Sequence, residues 1–287
     1  MRALSVLLSA LVVLPPAARA HPPATTGPAS VFATGLTGPE GLAFDNAGGL
    51  LVGSTTGEIR RFASDGTSTV LANVGDSLAG LTVQRDGHVL AAAFAAGRVW
   101  RIDQRGVTTV LANVSSPNVV VETRAGHVLA SSSFAGTIVD ITGGTPVTVA
   151  SGLAFPNGLA VGGDGFLYVA ELTASRVSRL PLAANGTLGA AEVYAAGTVA
   201  ADGIAFDRRG NLLVVGADAV RVIDRATRAV TVLSTDPLVD WPSNVAFGRG
   251  HGFKPRTAYM VNYGLPLGSG STIVRFGYNH KGAPLIR

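Results

Sequence analysis

Residues Phe155 to Val177 read FPNGLAVGGDGFLYVAELTASRV, and the fold follows from this stretch. A polar turn (Pro156, Asn157, Gly158) leads into a short apolar run from Leu159 to Val161. A Gly/Asp turn at Gly162 to Gly165 then separates it from a second apolar run, Phe166 to Ala170. Two such runs divided by turn residues form a β-hairpin signature, because Gly and Asp accept the backbone angles of a tight reversal. The same pattern is written six times along the chain. One polar position ahead of a Gly- or Val-led strand recurs as Glu40, Ala79, Asn118, Asn157, Asp202 and Asn244, in steps of 39, 39, 39, 45 and 42 residues. That spacing is the period of a propeller blade.

Each unit holds four short strands separated by turn residues, with almost no helical periodicity, so the expected fold class is all-β, a six-bladed β-propeller. In the second unit the expected strands are Leu81 to Val83, His88 to Ala92, Arg98 to Ile102 and Val107 to Ala112. The sixth unit offers only three, Asn244 to Phe247, Thr257 to Asn262 and Thr272 to Phe276. Its missing fourth is supplied by ASVFATGL at Ala29 to Leu36, which matches the outer-strand pattern of later units such as VTVASGL at Val147 to Leu153. Blade six is therefore expected to be closed by the N-terminal strand, which removes an exposed edge.

Outside the repeat, residues 1–20 read as a secretory signal peptide: Arg2, an apolar run from Leu4 to Leu14, and Ala18-Arg19-Ala20 as the cleavage site. Residues 21–28 are expected to be a flexible lead-in and 29–287 a single domain, exported to a secreted, extracellular or periplasmic location. The mature chain is expected to have no membrane span and to be a monomer. There is no Cys, which excludes disulfides and thiolate metal sites. The chain carries 22 Lys and Arg against 18 Asp and Glu, and without Arg2 and Arg19 the excess is about two. These cations are scattered singly, without the clustering that tracks a phosphate backbone, so nucleic-acid binding is not expected.

The inner strands of a propeller line its central channel, so the residues at their starts converge on one axial end. Five of the six recurring positions carry side-chain oxygen: Glu40, Asn118, Asn157, Asp202 and Asn244. Taken singly, an Asn or Asp before a strand is commonly a turn residue. Five in register, two of them acidic, form an all-oxygen donor set that suits Ca²⁺, or another divalent cation, over Zn²⁺. Ala79 leaves one sector open. A second ring falls at the ends of the next strands: Ser54, Ala93, Ser132, Glu171, Gly216 and Asn262. Glu171 is its one charged member and a candidate general base, or else a residue that hydrogen-bonds the following turn. Phe94, Phe134, Leu172 and Tyr263 are expected to give the rim an apolar character.

The chain resembles the gluconolactonase/regucalcin-like superfamily (senescence marker protein/gluconolactonase/luciferin-regenerating enzyme), whose wider relatives include diisopropylfluorophosphatase, paraoxonases and strictosidine synthase-like proteins. The resemblance covers about Ser30 to Phe276 and is carried by GPEGLAFD (Gly38 to Asp45), FPNGLAV (Phe155 to Val161) and ADGIAFD (Ala201 to Asp207). It implies metal binding at Glu40, Asn157 and Asp202 and an active-site Asn at Asn118, while Asn244 matches an Asn present in some relatives. Two departures stand out. The interval from Asn118 to Asn157 is one short blade, and the His dyad of the paraoxonase type has no counterpart. His88 and His127 lie in turns expected on the opposite face, and His251 and His280 in C-terminal loops without a partner identifiable from spacing.

The sequence thus points to a secreted, Ca²⁺-dependent hydrolase of lactones or related esters, acting on a small molecule by metal-activated water attack. Catalytic candidates are Asp202, Glu171 and Asn118. The alternative is a non-catalytic propeller that binds a ligand or partner over a structural Ca²⁺. A third reading, strictosidine synthase-like condensation, would not require the column of oxygens.

Overall fold

The computed structural model describes residues 24–284. The expected signal peptide at 1–20 and the start of the expected lead-in lie outside that range. Six four-stranded antiparallel sheets follow one another in sequence, each ordered from the channel outward, and among the described residues there is no α-helix. This is the expected six-bladed propeller. The inner strands are Pro39–Phe44, Leu81–Val83, Pro117–Glu122, Pro156–Val161, Ile204–Phe206 and Pro242–Phe247. In blade two the remaining strands are Val89–Ala93, Arg98–Ile102 and Thr108–Asn113, within one residue of the expected limits.

The burial pattern explains why the sequence reads as it does. The second strands, such as Leu50–Ser54 (LLVGS), Val89–Ala93 (VLAAA) and Leu212–Gly216 (LLVVG), are buried along their whole length. Each is flanked by a neighbouring blade on both faces, so it becomes a continuous run of small and apolar residues rather than an alternating one. The core is accordingly divided into six layers, one between each pair of adjacent blades. Leu42, Phe44, Val52 and Phe62 of blade one, for example, pack on Phe253, Tyr259, Val261 and Ile273 of blade six.

Closure occurs as expected. The strand Thr26–Ala33 pairs antiparallel with Thr272–Tyr278, matching Ala29 with Phe276 and Val31 with Val274. The strand starts at Thr26, so the lead-in expected over 21–28 gives way to blade six three residues early. Pro28 is tolerated because the strand is an outer edge and its ladder is irregular between Thr26 and Ala29. Phe32 secures the seam, its ring lying 5.2 Å from Tyr259 and 5.9 Å from Phe253.

At the opposite axial face, Asp207 is buried and accepts hydrogen bonds from Tyr278 Oη (3.2 Å) and Asn211 Nδ2 (2.8 Å), and pairs with His280 Nδ1 (2.8 Å). His280 therefore has a partner that spacing could not reveal, and the contact ties the C-terminal segment to blade five. His88 and His127 sit in inner hairpin turns on that same face, with His127 Nδ1 2.7 Å from Asp140 Oδ2.

Candidate metal centre and active site

Five of the six inner strands are entered in the same way. The residue two positions before the ring residue has left-handed backbone: Gly38 (φ 51°), Ser116 (42°), Phe155 (54°), Ala200 (48°) and Trp241 (44°). For an L-residue this conformation costs about 1–2 kcal/mol, and backbone strain of this kind collects where surrounding structure over-determines a functional geometry. Here the carbonyls of Gly38, Ser116, Phe155 and Trp241 accept from Thr55, Ser133, Leu172 and Tyr263 N at 3.0–3.2 Å, so the loop after the second strand fixes each kink. In blades one, three, four and six the residue after the kink is the proline that opens the inner strand, and in every kinked blade the next one is the ring residue. Blade two, whose ring residue is Ala79, has no such kink.

This register corrects one assignment. Counting from the kink gives Glu40, Asn118, Asn157, Asp202 and Ser243, with Ser243 in place of Asn244. Strand pairing agrees, because Asn244 lies opposite Val261 as Gly41 lies opposite Gly53, after Pro242–Asn262 and Pro39–Ser54. Asn244 occupies the glycine position, and its Oδ1 accepts from Val245 N at 2.8 Å. In most blades this position is glycine because the neighbouring strand leaves no room: a Cβ on Gly158 would lie 2.1 Å from Asp202 O. Asn244 is therefore one residue below the ring, and Ser243 Oγ donates to Glu40 O at 2.9 Å, bracing the strand that carries Glu40.

The ring itself is chemically unbalanced. Asp202 is 7% exposed and Asn157 3%, Asn118 is buried, and Glu40 is half-buried at the mouth. Neither carboxylate has a hydrogen bond or ion pair among the described residues, nor does the Asn118 amide. Asn157 Oδ1 is a buried oxygen without a donor. Burial pushes the Glu40 carboxyl up to about 8. Burial, and then the charge of Glu40, raise Asp202 well above the usual carboxylate range. Buried polar groups are ordinarily satisfied, and buried charges are paired or coordinate metals. Two anions, an orphaned amide oxygen and a second buried amide, all oxygen donors with no thiol or imidazole, fit a hard divalent cation such as Ca²⁺. No cluster of three or more His, Cys, Asp or Glu occurs among the described residues, so any cation here depends on the amides as well as the acids.

A pH dependence follows for metal-free protein. A carboxyl whose folded pKa is raised stabilises the fold below its unfolded value, near 4.5, and loses that contribution as pH climbs through about 8. Allowing for solvent at the mouth, the loss is roughly 2–4 kcal/mol, or about 5–15 °C of melting temperature. Thermal scans in chelator should therefore fall between pH 5 and 8.5, and Ca²⁺ should flatten the curve at high pH while changing little at pH 5. A chelated protein whose melting temperature is flat over that range would contradict the raised carboxyl.

Glu171 is not placed to act as a base. It is fully buried: Oε1 accepts from Arg176 Nε (2.7 Å) and Ser178 Oγ, and Oε2 from Arg176 Nη2 (2.9 Å) and Ala154 N (2.6 Å). Burial acts to raise its pKa, but the donors together outweigh it and hold the carboxyl below the usual range. A carboxylate saturated with donors has no lone pair directed at water in the channel. The other polar members of this second ring are also engaged. Ser132 Oγ donates to Ser115 O at 2.5 Å, and Asn262 Nδ2 to Leu238 O at 2.7 Å. These residues pin loops and do not rim the pocket.

Tyr263 has a role that its apolar reading missed. Its pKa is raised by burial and then by the negative charges of Glu40 and Asp202, which places the phenol within electrostatic range of both. Its backbone is fixed by Trp241 O on one side and by the amides of Gly268 and Gly270 on the other. Below the ring a cavity of about 580 Å³ opens to the opposite face, reaching up to Gly158, Gly203 and Asn244 and bordered at its mouth by Arg85, Glu122 and Arg208.

Fold and site define a six-bladed propeller with a buried, two-acid oxygen ring at one end of its channel. Residues 122–262 match the family model described as SMP-30/Gluconolactonase/LRE-like region. Among solved structures it is similar to a gluconolactonase from Xanthomonas campestris at 18% identity, covering 87% of this chain and 89% of that one, with a TM-score of 0.71. It is likewise similar to a calcium-binding regucalcin from Agrobacterium tumefaciens at 20% identity, covering 90% and 99%, with a TM-score of 0.70. A luciferin-regenerating enzyme aligns at 16% identity over 87% and 94%, with a TM-score of 0.71. At these identities the likeness is one of fold. No curated protein sequence matches the chain.

Proposed function

We propose that this protein is an exported, Ca²⁺-dependent hydrolase of lactones or related esters. The observation that carries the reading is the pair of unpartnered carboxylates, the buried Asp202 and the half-buried Glu40, beside the orphaned Asn157 oxygen. The match of residues 122–262 to the gluconolactonase-like family model supports a lactonase-type function. A divalent cation bound at the ring supplies Lewis-acid polarisation of a substrate carbonyl.

The residues of the chain do the rest. Glu40, Asn157 and Asp202 present the donor oxygens. With Glu171 occupied, Asp202, the more buried of the two ring carboxylates, accepts a proton from the attacking water. The Asn118 amide donates to a substrate oxygen, and the Tyr263 phenol, held neutral by its raised pKa, is a second donor. Water adds to the carbonyl carbon, the ring C–O bond breaks, and the departing oxygen takes up the proton, giving a hydroxy acid.

The second reading, a ligand-binding propeller with a structural Ca²⁺, gains from the engagement of Glu171, because it removes the one charged member of the second ring as a base. A panel of sugar lactones, alkyl lactones and aryl esters, assayed with chelator and with Ca²⁺, separates the two. Turnover lost in chelator and regained with Ca²⁺ is the expected result. Turnover indifferent to chelator would remove the metal from the mechanism, and none on any member with Ca²⁺ present would leave the binding reading.

A further inference from the structure

The ring does not sit in a uniform mouth. Its charged and hydroxyl-bearing groups, Glu40, Asp202, Ser243 and Tyr263, belong to blades one, five and six. On the other side three phenyl rings meet. Phe94 and Phe134 have centroids 5.2 Å apart, Phe134 and Phe155 5.5 Å, and Phe94 and Phe155 6.3 Å. Phe94 and Phe134 head the loops after the second strands of blades two and three, and Phe155 is the kinked residue leading to Asn157. Phe94 also packs on the core layer that contains Ala79, the one ring position without a side-chain oxygen.

Two features separate this cluster from incidental surface. Phe134 is 76% exposed, yet its backbone is pinned, its N donating to Ser116 Oγ at 3.0 Å. Phe155 keeps a left-handed φ of 54° with its carbonyl bound by Leu172 N. An exposed apolar patch held rigid beside a polar site is a recognition surface already organised for its ligand. We infer that the substrate carries an alkyl or aryl substituent, which lies on Phe94, Phe134 and Phe155 while its carbonyl faces the oxygen ring. A polyhydroxylated lactone would turn hydroxyls toward phenyl faces that cannot bond them, leaving desolvated polar groups unpaired. This inference rests on the hydrolase reading and narrows it to lipophilic lactones or esters.

The test is a series of 5-alkyl-γ-lactones from methyl to hexyl, assayed with Ca²⁺ beside a sugar lactone. Each methylene laid on the rings should raise kcat/KM about fourfold, so four should give about 10²-fold. Phe134→Ala and Phe94→Ala should both reduce that dependence on chain length. Phe134 is so exposed that its truncation should leave folding intact. A flat or falling series, a preference for the sugar lactone, or an unchanged slope in both variants would overturn the inference. Calorimetric binding of the matching 2-alkyltetrahydrofurans, which lack the carbonyl, provides an arm independent of turnover. If no lactone is hydrolysed, the hydrolase reading fails and this arm decides alone: affinity that rises with chain length and drops in the variants sustains the apolar subsite, and affinity independent of length ends it.

Discussion

Asp202→Asn should lower turnover by roughly 10²–10⁴-fold, the usual contribution of a positioned proton acceptor, and excess Ca²⁺ should not restore it. Glu40→Gln should behave differently. It keeps an oxygen donor but removes one of two anions, so the Ca²⁺ requirement should rise and saturating Ca²⁺ should bring turnover back. Both variants delete one of two neighbouring like charges that repel when no cation is present. In chelator at pH 8 each should therefore melt above wild type, reversing the usual cost of altering a buried site. Turnover against free Ca²⁺, with melting curves in chelator, reads both effects. Equal recovery of the two variants at high Ca²⁺ would take the proton-accepting role from Asp202, and lower melting in chelator would show that the carboxylates are not in conflict.

Glu171→Ala should fail in the opposite way, through stability. The substitution strips four donors of their acceptor and leaves Arg176 without its partner. Breaking a buried ion pair costs about 3–5 kcal/mol. Arg176 is one-third exposed and can rehydrate, so roughly 2–4 kcal/mol is expected here, lowering the melting temperature by about 5–15 °C. Ca²⁺-saturated turnover per folded molecule should stay near wild type, since no atom of Glu171 faces the channel free. An unchanged melting temperature with turnover down 10²-fold would return Glu171 to the chemistry.

The two carboxylates show what can be read from a linear sequence. The architecture was legible because a hairpin written six times in steps near 40 residues admits few other folds, and the closure because the last unit lacked a strand that the first residues could supply. Glu40, Asn157 and Asp202 were legible because each follows its turn at a fixed offset. Of the two readings of Glu171 the hydrogen-bonding one fits its surroundings, and the sequence could not choose because a charge at a strand end says nothing of what it meets. Yet Arg176 lies directly across the hairpin from it, and cross-strand pairing of opposite charges was the signal available. Asn244 fits the sequence pattern because it is a polar residue directly ahead of a Val-led strand. Pro242, matching Pro39, Pro117 and Pro156 immediately before their ring residues, marks Ser243 instead. The reach of the Tyr263 phenol toward Glu40 and Asp202 depends on loop geometry, which has no periodic signature.

The seam between Thr26–Ala33 and Thr272–Tyr278 also bears on how the protein is made. The first strand of the propeller must wait until its last strand, more than two hundred residues later, has been made before it finds its ladder. Such distant pairing pays its loop-closure entropy late and slows folding. Until then the nascent ring has an open seam with unpaired backbone on both sides. A chain that stalls or is clipped before Thr272 cannot seal it, and such a product is left with the exposed edges that invite aggregation. The position of that one strand makes ring closure a late step and, in effect, a check that all six blades have been made.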